Sequence, residues 1–175
     1  MSVFNIFKRE KKQDIEVYAD IEELYENGYP FQQRDIVEHA SLYSTLGNNQ
    51  RGVILVTMEM FAKSFIPVDT EWRDFSKGLL KIKSEILGIS PDDAWNYVQS
   101  PDDVNKLLSS IENRRILDIL LSDMKFLLKI VVNSSLRNRN GAEVNRNAIN
   151  ALYGIFIPLG YSQLEIFNPK QFMMF

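Results

Sequence analysis

At 175 residues, 45% of them hydrophobic, the chain is long enough to bury one core, and its net charge of −3 excludes a global attraction to nucleic acid or anionic membrane. It contains no cysteine, which excludes disulfides, thiolate metal sites and a cysteine nucleophile, and fits a reducing, cytoplasmic setting in a cell or a phage-infected cell. No apolar run reaches the roughly 18 residues that would cross a bilayer.

Residues 1–12 read as an arm, with Val3, Phe4, Ile6 and Phe7 followed by Lys8, Arg9, Lys11 and Lys12, net +3. Apolar-then-basic is the reverse of a secretory signal. The arm suits a protein groove or weak contact with an anionic membrane surface. Residues 13–160 read as a single helical domain. Asp14 to Asn27 forms the first predicted helix, with Val17, Ile21 and Leu24 inward, and Gly28 and Pro30 ending it. Glu16, Asp20 and Glu23 share its outer face; a solvated acidic face is the simpler reading, and a divalent cation held by oxygen the sharper one. A second helix is expected from about Gln33 to Leu46, broken by Gly47-Asn48-Asn49-Gln50-Arg51-Gly52. That stretch has the flanking glycines of a phosphate cradle, but it lacks the Lys-Ser/Thr and the preceding strand, so it reads as a turn. Val53 to Phe65 starts with strand-forming residues, yet its length and the absence of a partner strand assign it to helix.

Trp72, Phe75, Leu79, Ile82 and Ile86 repeat at 3-4-3-4 spacing, the seam of a fourth helix packed along its length and ended by Gly88. Ser90-Pro91-Asp92-Asp93 and Ser100-Pro101-Asp102-Asp103 then place a capping serine, a first-turn proline and two acids at each of two helix starts. The first starts a short helix to about Val98; the second is expected to run into the next element. There Leu117, Leu120, Leu121, Met124, Leu127, Leu128 and Val131 line one face, with Ile116, Ile119, Phe126 and Ile130 beside it. Asp118, Ser122, Lys125 and Lys129 make a narrow polar strip. A helix this apolar is surrounded by others, which predicts an all-α, six- to seven-helix compact bundle around a central helix at about 113–134. A loop at Arg137–Gly141 and a last helix from about Ala142 to Ile157 follow, then an aromatic tail over 161–175.

Chemistry is sparse. His39, the only histidine, follows Glu38 and is a possible general base, but no nucleophile or zinc-ligand spacing accompanies it. Neither a catalytic motif nor a cofactor or metal site is expected. Leu87-Gly88-Ile89-Ser90 resembles the turn of a helix-turn-helix; the acids that open the next helix would repel phosphate, so a tight corner is the better reading. Arg137, Arg139 and Arg146, among several asparagines, form the one basic loop suited to nucleic acid, with Arg114, Arg115, Lys125 and Lys129 as its extension if the helices pack antiparallel. Charge is segregated: residues 13–47 carry −7 and residues 113–146 carry +4. The favoured expectation is a non-catalytic protein–protein interaction or assembly module, binding another protein or copies of itself. Phe4 and Phe7 at one end, and Phe167, Phe172, Met173, Met174 and Phe175 at the other, would enter grooves while the charged segments set orientation. A phage-borne assembly or host-interaction protein, or an immunity protein, is a setting that suits this profile. Nucleic-acid binding through the arginine loop is the alternative.

Overall fold

The computed structural model describes residues 24–67, 71–136 and 139–172. These form nine helices and no strand: α1 (Gln33–Tyr43), α2 (Asn48–Phe65), α3 (Glu71–Leu87), α4 (Pro91–Trp95), α5 (Pro101–Ser109), α6 (Arg114–Ser135), α7 (Gly141–Phe156), and the single turns α8 (Gln163–Ile166) and α9 (Pro169–Phe172). The all-α class predicted from periodicity is the observed one. The arm and the first predicted helix up to Glu23 lie outside the described residues.

Three boundaries differ from the sequence expectation, each for a local reason. The predicted break at 47–52 is the first turn of α2. The Gln50 side chain accepts from the Gly47 N–H at 3.1 Å, and Arg51 donates to the Leu46 and Ser44 carbonyls at 3.1 and 3.2 Å, so the preceding chain is tied to the helix start. α1 ends at Tyr43, and Arg51 satisfies the Ser44 and Leu46 carbonyls beyond it. The helix from Pro101 does not continue into the central one. It stops at Ser109, and Asn113 starts α6 afresh by accepting from the Arg115 N–H at 3.0 Å. The two repeated Ser-Pro-Asp-Asp starts do cap α4 and α5, with each serine accepting from the N–H of the second aspartate. Leu87–Ser90 is the tight corner: the Ile89 N–H returns to the Ser84 carbonyl at 3.2 Å and closes the end of α3.

One hydrophobic core runs through the described residues. α6 buries 13 of its 22 residues, so it is central as expected. It shares that place with α2, which packs on α3, α4, α5, α6 and α7 and buries the whole run Gly52–Met58. The Val-Ile-Leu-Val start of that run, β-like in composition, is read better as a helix enclosed on all sides. α1 and α3 cover one side of the α2–α6 pair; α5 and α7 pack on α2, and α7 also lies along α6.

The α6–α7 turn is tight. A Cβ at Gly141 would collide with the Ser135 carbonyl at the end of α6, whereas a Cβ at Gly154, one helix length on, would meet no atom. Gly141→Ala is therefore expected to lower stability by about 1–3 kcal/mol, and Gly154→Ala to be neutral or stabilising by roughly 0.5–1 kcal/mol. Urea unfolding of the two variants checks the contrast.

Candidate functional site

The least expected feature is a pair of charges in the core. Lys83 sits beside Ile82 on the inward face of α3, Asp123 beside Met124 on the inward face of α6, and both are fully buried. Their Nζ and Oδ2 atoms stand 2.8 Å apart. The hydroxyl of Tyr29 donates to the other carboxylate oxygen at 2.7 Å, and the Lys83 ammonium donates to the Tyr43 hydroxyl at 3.3 Å. The Phe31 and Tyr43 rings face the ammonium at 5.8 and 5.4 Å from their centroids. Tyr29 reaches this position through Gly28, whose φ of +89° is left-handed, and through its own N–H bonding back to the Leu24 carbonyl at 2.9 Å.

Burial opposes both charges. For Lys83 it is outweighed by Asp123 and Tyr43, which hold the ammonium above the ordinary lysine range. Burial also raises the Tyr29 phenol well above its usual value, with Asp123 adding to the effect. Tyr43 is pushed up to about 12 by burial, against the pull of the Lys83 cation. Both phenols therefore keep their protons at neutral pH, and Tyr29 is a donor to the carboxylate.

His39 borders this cluster. It is fully buried, and neither ring nitrogen has a hydrogen-bond partner. Its ring meets the Phe31 ring edge-on at 4.5 Å. Burial, then the neighbouring Lys83 cation, lower its pKa to about 3, with Asp35 opposing and Arg115 assisting. Glu38 is exposed and lies 3.5 Å from Arg115. The adjacent pair singled out in the sequence thus divides between core and surface.

Among the described residues, Arg114 and Arg115 do not extend the arginine loop. Arg137 lies outside the described residues; Arg139 and Arg146 are exposed. Arg114 lies over the Tyr161 ring at 3.3 Å, donates to the Leu159 carbonyl at 3.0 Å and stands 3.5 Å from Asp118, which accepts from the Tyr161 hydroxyl at 2.7 Å. It is a clamp on the chain after α7. Arg115 faces Glu38, Lys125 is half-buried, and Lys129 donates to the Asn27 carbonyl at 3.5 Å. With Arg114 and Arg115 at the start of α6 and Arg139 beyond its end, about 33 Å of helix separates the two groups.

Of the tail, Ile166 is buried and Phe167 is half-buried against the core, while Leu164 is 71% exposed. The side chain of Phe172 and all of Met173, Met174 and Phe175 lie outside the described residues, as do Phe4 and Phe7. The surface does carry a groove of the kind those side chains would need. An open cleft of about 390 Å³ runs between α2, α5 and α7. Met60, Phe61 and Phe65 form one wall, Val104 another, and Ala151 and Ile155 a third; Gly154 leaves its α7 wall bare. No single segment announced it, because three helices distant in sequence contribute. Asp102 and Asp103 follow the lining residue Pro101, and Lys106 follows the lining residue Asn105.

No grouping of three or more histidine, aspartate or glutamate side chains suited to a metal occurs among the described residues. No helix there is long and apolar enough to cross a membrane. No protein-family model matches the chain, and no curated protein or solved structure matches it either.

Two outcomes follow. Lys83→Met or Asp123→Asn alone strands a buried charge or its partner and is expected to cost about 3–5 kcal/mol, while the joint change Lys83→Met/Asp123→Leu recovers most of that loss. A double-mutant cycle in urea measures it. For His39, the folded value of about 3 lies below the ordinary 6.5, so the unfolded chain takes up a proton that the folded one refuses. Its contribution to stability is complete above about pH 6.5 and is lost as pH falls toward 3, at up to about 1.4 kcal/mol per pH unit. His39→Phe should flatten that acid limb in unfolding curves taken from neutral pH downward.

Proposed function

We propose that this protein is a non-catalytic protein–protein interaction module that assembles by accepting an apolar segment into the α2–α5–α7 groove. One observation carries the reading: the groove is open, apolar and walled by aromatic and methionine side chains, which are favoured in binding clefts because they offer large contact area. The remaining features support it. The one histidine is sealed in the core and the buried ion pair is closed off from solvent, so neither presents its chemistry at the surface. A groove presented by helices in this way suits an amphipathic or short extended segment, read through a few spaced anchors.

The test is light scattering on a gel-filtration column at about 0.15 M salt, where long-range charge effects are screened, with absorbance recorded at both nucleic-acid and protein wavelengths. The expected result is a species free of nucleic acid, heavier than one 20.3 kDa chain, that falls to the single-chain mass in Gly154→Phe, whose ring fills the cleft from an unobstructed position. A single-chain mass for the native protein overturns the assembly reading. Bound nucleic acid that is lost in Arg139→Glu/Arg146→Glu would establish the arginine loop instead.

A further inference from the structure

We infer that residues 24–43 form an acid-released flap: a proton taken up by His39 lifts this layer from α3 and α6 while α2 to α7 stay packed, uncovering Phe126 and the Lys83–Asp123 pair. The device lies on α3 and α6, apart from the α2–α5–α7 groove, and does not rest on the functional reading above.

His39 sits where a cation has no counterpart. The ring is fully buried, with neither nitrogen hydrogen-bonded. On α1 itself, Asp35 accepts from the Gln32 N–H at 2.7 Å, and the Tyr43 hydroxyl accepts from the Lys83 ammonium at 3.3 Å. Glu38 is exposed and turned to Arg115 at 3.5 Å. The segment before α1 presents the Phe31 ring edge-on at 4.5 Å, and the Tyr29 hydroxyl is committed to Asp123 at 2.7 Å. From α3 comes the buried Lys83 ammonium; from α6 come Arg115 and the Asp123 carboxylate, which Lys83 already holds at 2.8 Å. A protonated His39 would therefore be a second buried cation beside Lys83, with every neighbouring carboxylate among the described residues engaged elsewhere. Desolvation and like-charge repulsion both oppose it, which is why burial and Lys83 hold its pKa down at about 3. In water the same ring is an ordinary imidazole near 6.5.

The flap yields first because of what it touches. α1 packs on α3 and α6, whereas α2 packs on α3, α4, α5, α6 and α7, so the layer can leave without opening the α2–α6 centre. It is attached through Tyr29 to Asp123 and to the Phe126 ring at 5.1 Å, through Tyr43 to Lys83, and through the exposed Glu38–Arg115 pair. Beyond Tyr43 the chain stays with α2, since Arg51 donates to the Ser44 and Leu46 carbonyls, which places the hinge at the end of α1. Release also hydrates Lys83 and Asp123 and relieves the desolvation that burial imposes on them. Burial holds the Asp123 carboxyl above its ordinary range, so the closed form takes that proton at higher pH than the released form does. That titration favours closure in acid and leaves His39 as the group that drives release.

Because the closed ring refuses a proton down to about pH 3, falling pH favours the released form from about 6.5 downward. Between pH 7.5 and pH 4.5 the ratio of released to closed molecules rises about a hundredfold. A flap open in roughly one molecule in a thousand at neutral pH is then open in about one in ten.

Two measurements on the full-length protein decide it. The first is hydrogen–deuterium exchange by mass spectrometry from pH 7.5 to pH 4.5, each rate divided by the intrinsic amide rate at that pH. It compares the native chain with His39→Phe and His39→Leu, with circular dichroism confirming that each keeps its helix content. The expected result is a loss of protection of about a hundredfold over residues 33–43 in the native chain, unchanged protection over 116–131, and no such loss in either variant. The second is proton NMR of the imidazole, unambiguous because the chain holds one histidine, and it needs no variant. A charged-ring signal should grow beside an unshifted neutral one as pH falls. Simultaneous loss of protection over 33–43 and 116–131 would mean that the whole bundle unfolds, and the flap fails. Loss over 33–43 that persists in both variants puts the switch on another group and also overturns it. So does a single ring signal that titrates near pH 6.5 while 33–43 stay protected, because the imidazole then charges in place.

Discussion

The contact on which the rest of this fold depends is the ion pair between Lys83 and Asp123. It lies where α3 crosses α6, with neither group exposed, and it recruits a hydroxyl on each side, from Tyr29 and Tyr43. Removing either partner alone leaves the other charge buried and unpaired, so the pair favours the arrangement of α3 on α6 in which the two meet. The two tyrosines extend that choice to the segment before α1 and to the end of α1, so the outer layer of the bundle takes its position from the same two atoms. His39 fills the remaining space as a neutral ring beside Phe31, on the condition that it stays unprotonated.

Most of the helical framework was legible in sequence, because burial along a helix repeats every three to four residues and that period survives without knowledge of partners. Leu79, Ile82 and Ile86 face inward on α3 as their spacing requires, and Ala148 and Leu152 do so on α7. The paired Ser-Pro-Asp-Asp segments cap α4 and α5 as their pattern predicts, because capping is local chemistry. What failed was also physical. Asp123 interrupts the apolar face of α6, and Lys83 stands beside the seam residue Ile82 on α3. The available signal was a charged residue standing on an inward stripe in each helix, but its meaning depends on the two stripes facing each other across 40 residues. The start of α2 differs from its sequence signal because glycine and asparagine usually mark a turn; here Gln50 and Arg51 bond the preceding backbone at the helix start.

The candidate site was legible in a weaker sense. The sequence marks apolar ends and segregated charge, which implies grooves without locating one. The groove exists only once α2, α5 and α7 are brought together, and one wall is open because Gly154 contributes no side chain. The basic residues show the converse. Their nearness in sequence suggested a patch, yet α6 separates them along its length and Arg114 is occupied by Tyr161 and Leu159.

The buried pair also orders events while the chain is being synthesised. Lys83 leaves the ribosome about 40 residues ahead of Asp123, an interval of roughly 2–8 s at ordinary elongation rates. During that time α1, α2 and α3 are available but have no carboxylate from α6 for the Lys83 ammonium, and sealing it in apolar surroundings would be costly. Closing α1, α2 and α3 tightly over Lys83 is therefore disfavoured until α6 arrives. The charge that later favours one arrangement of α3 on α6 first acts as a delay, keeping the early helices from closing tightly over it before their central partner has been made.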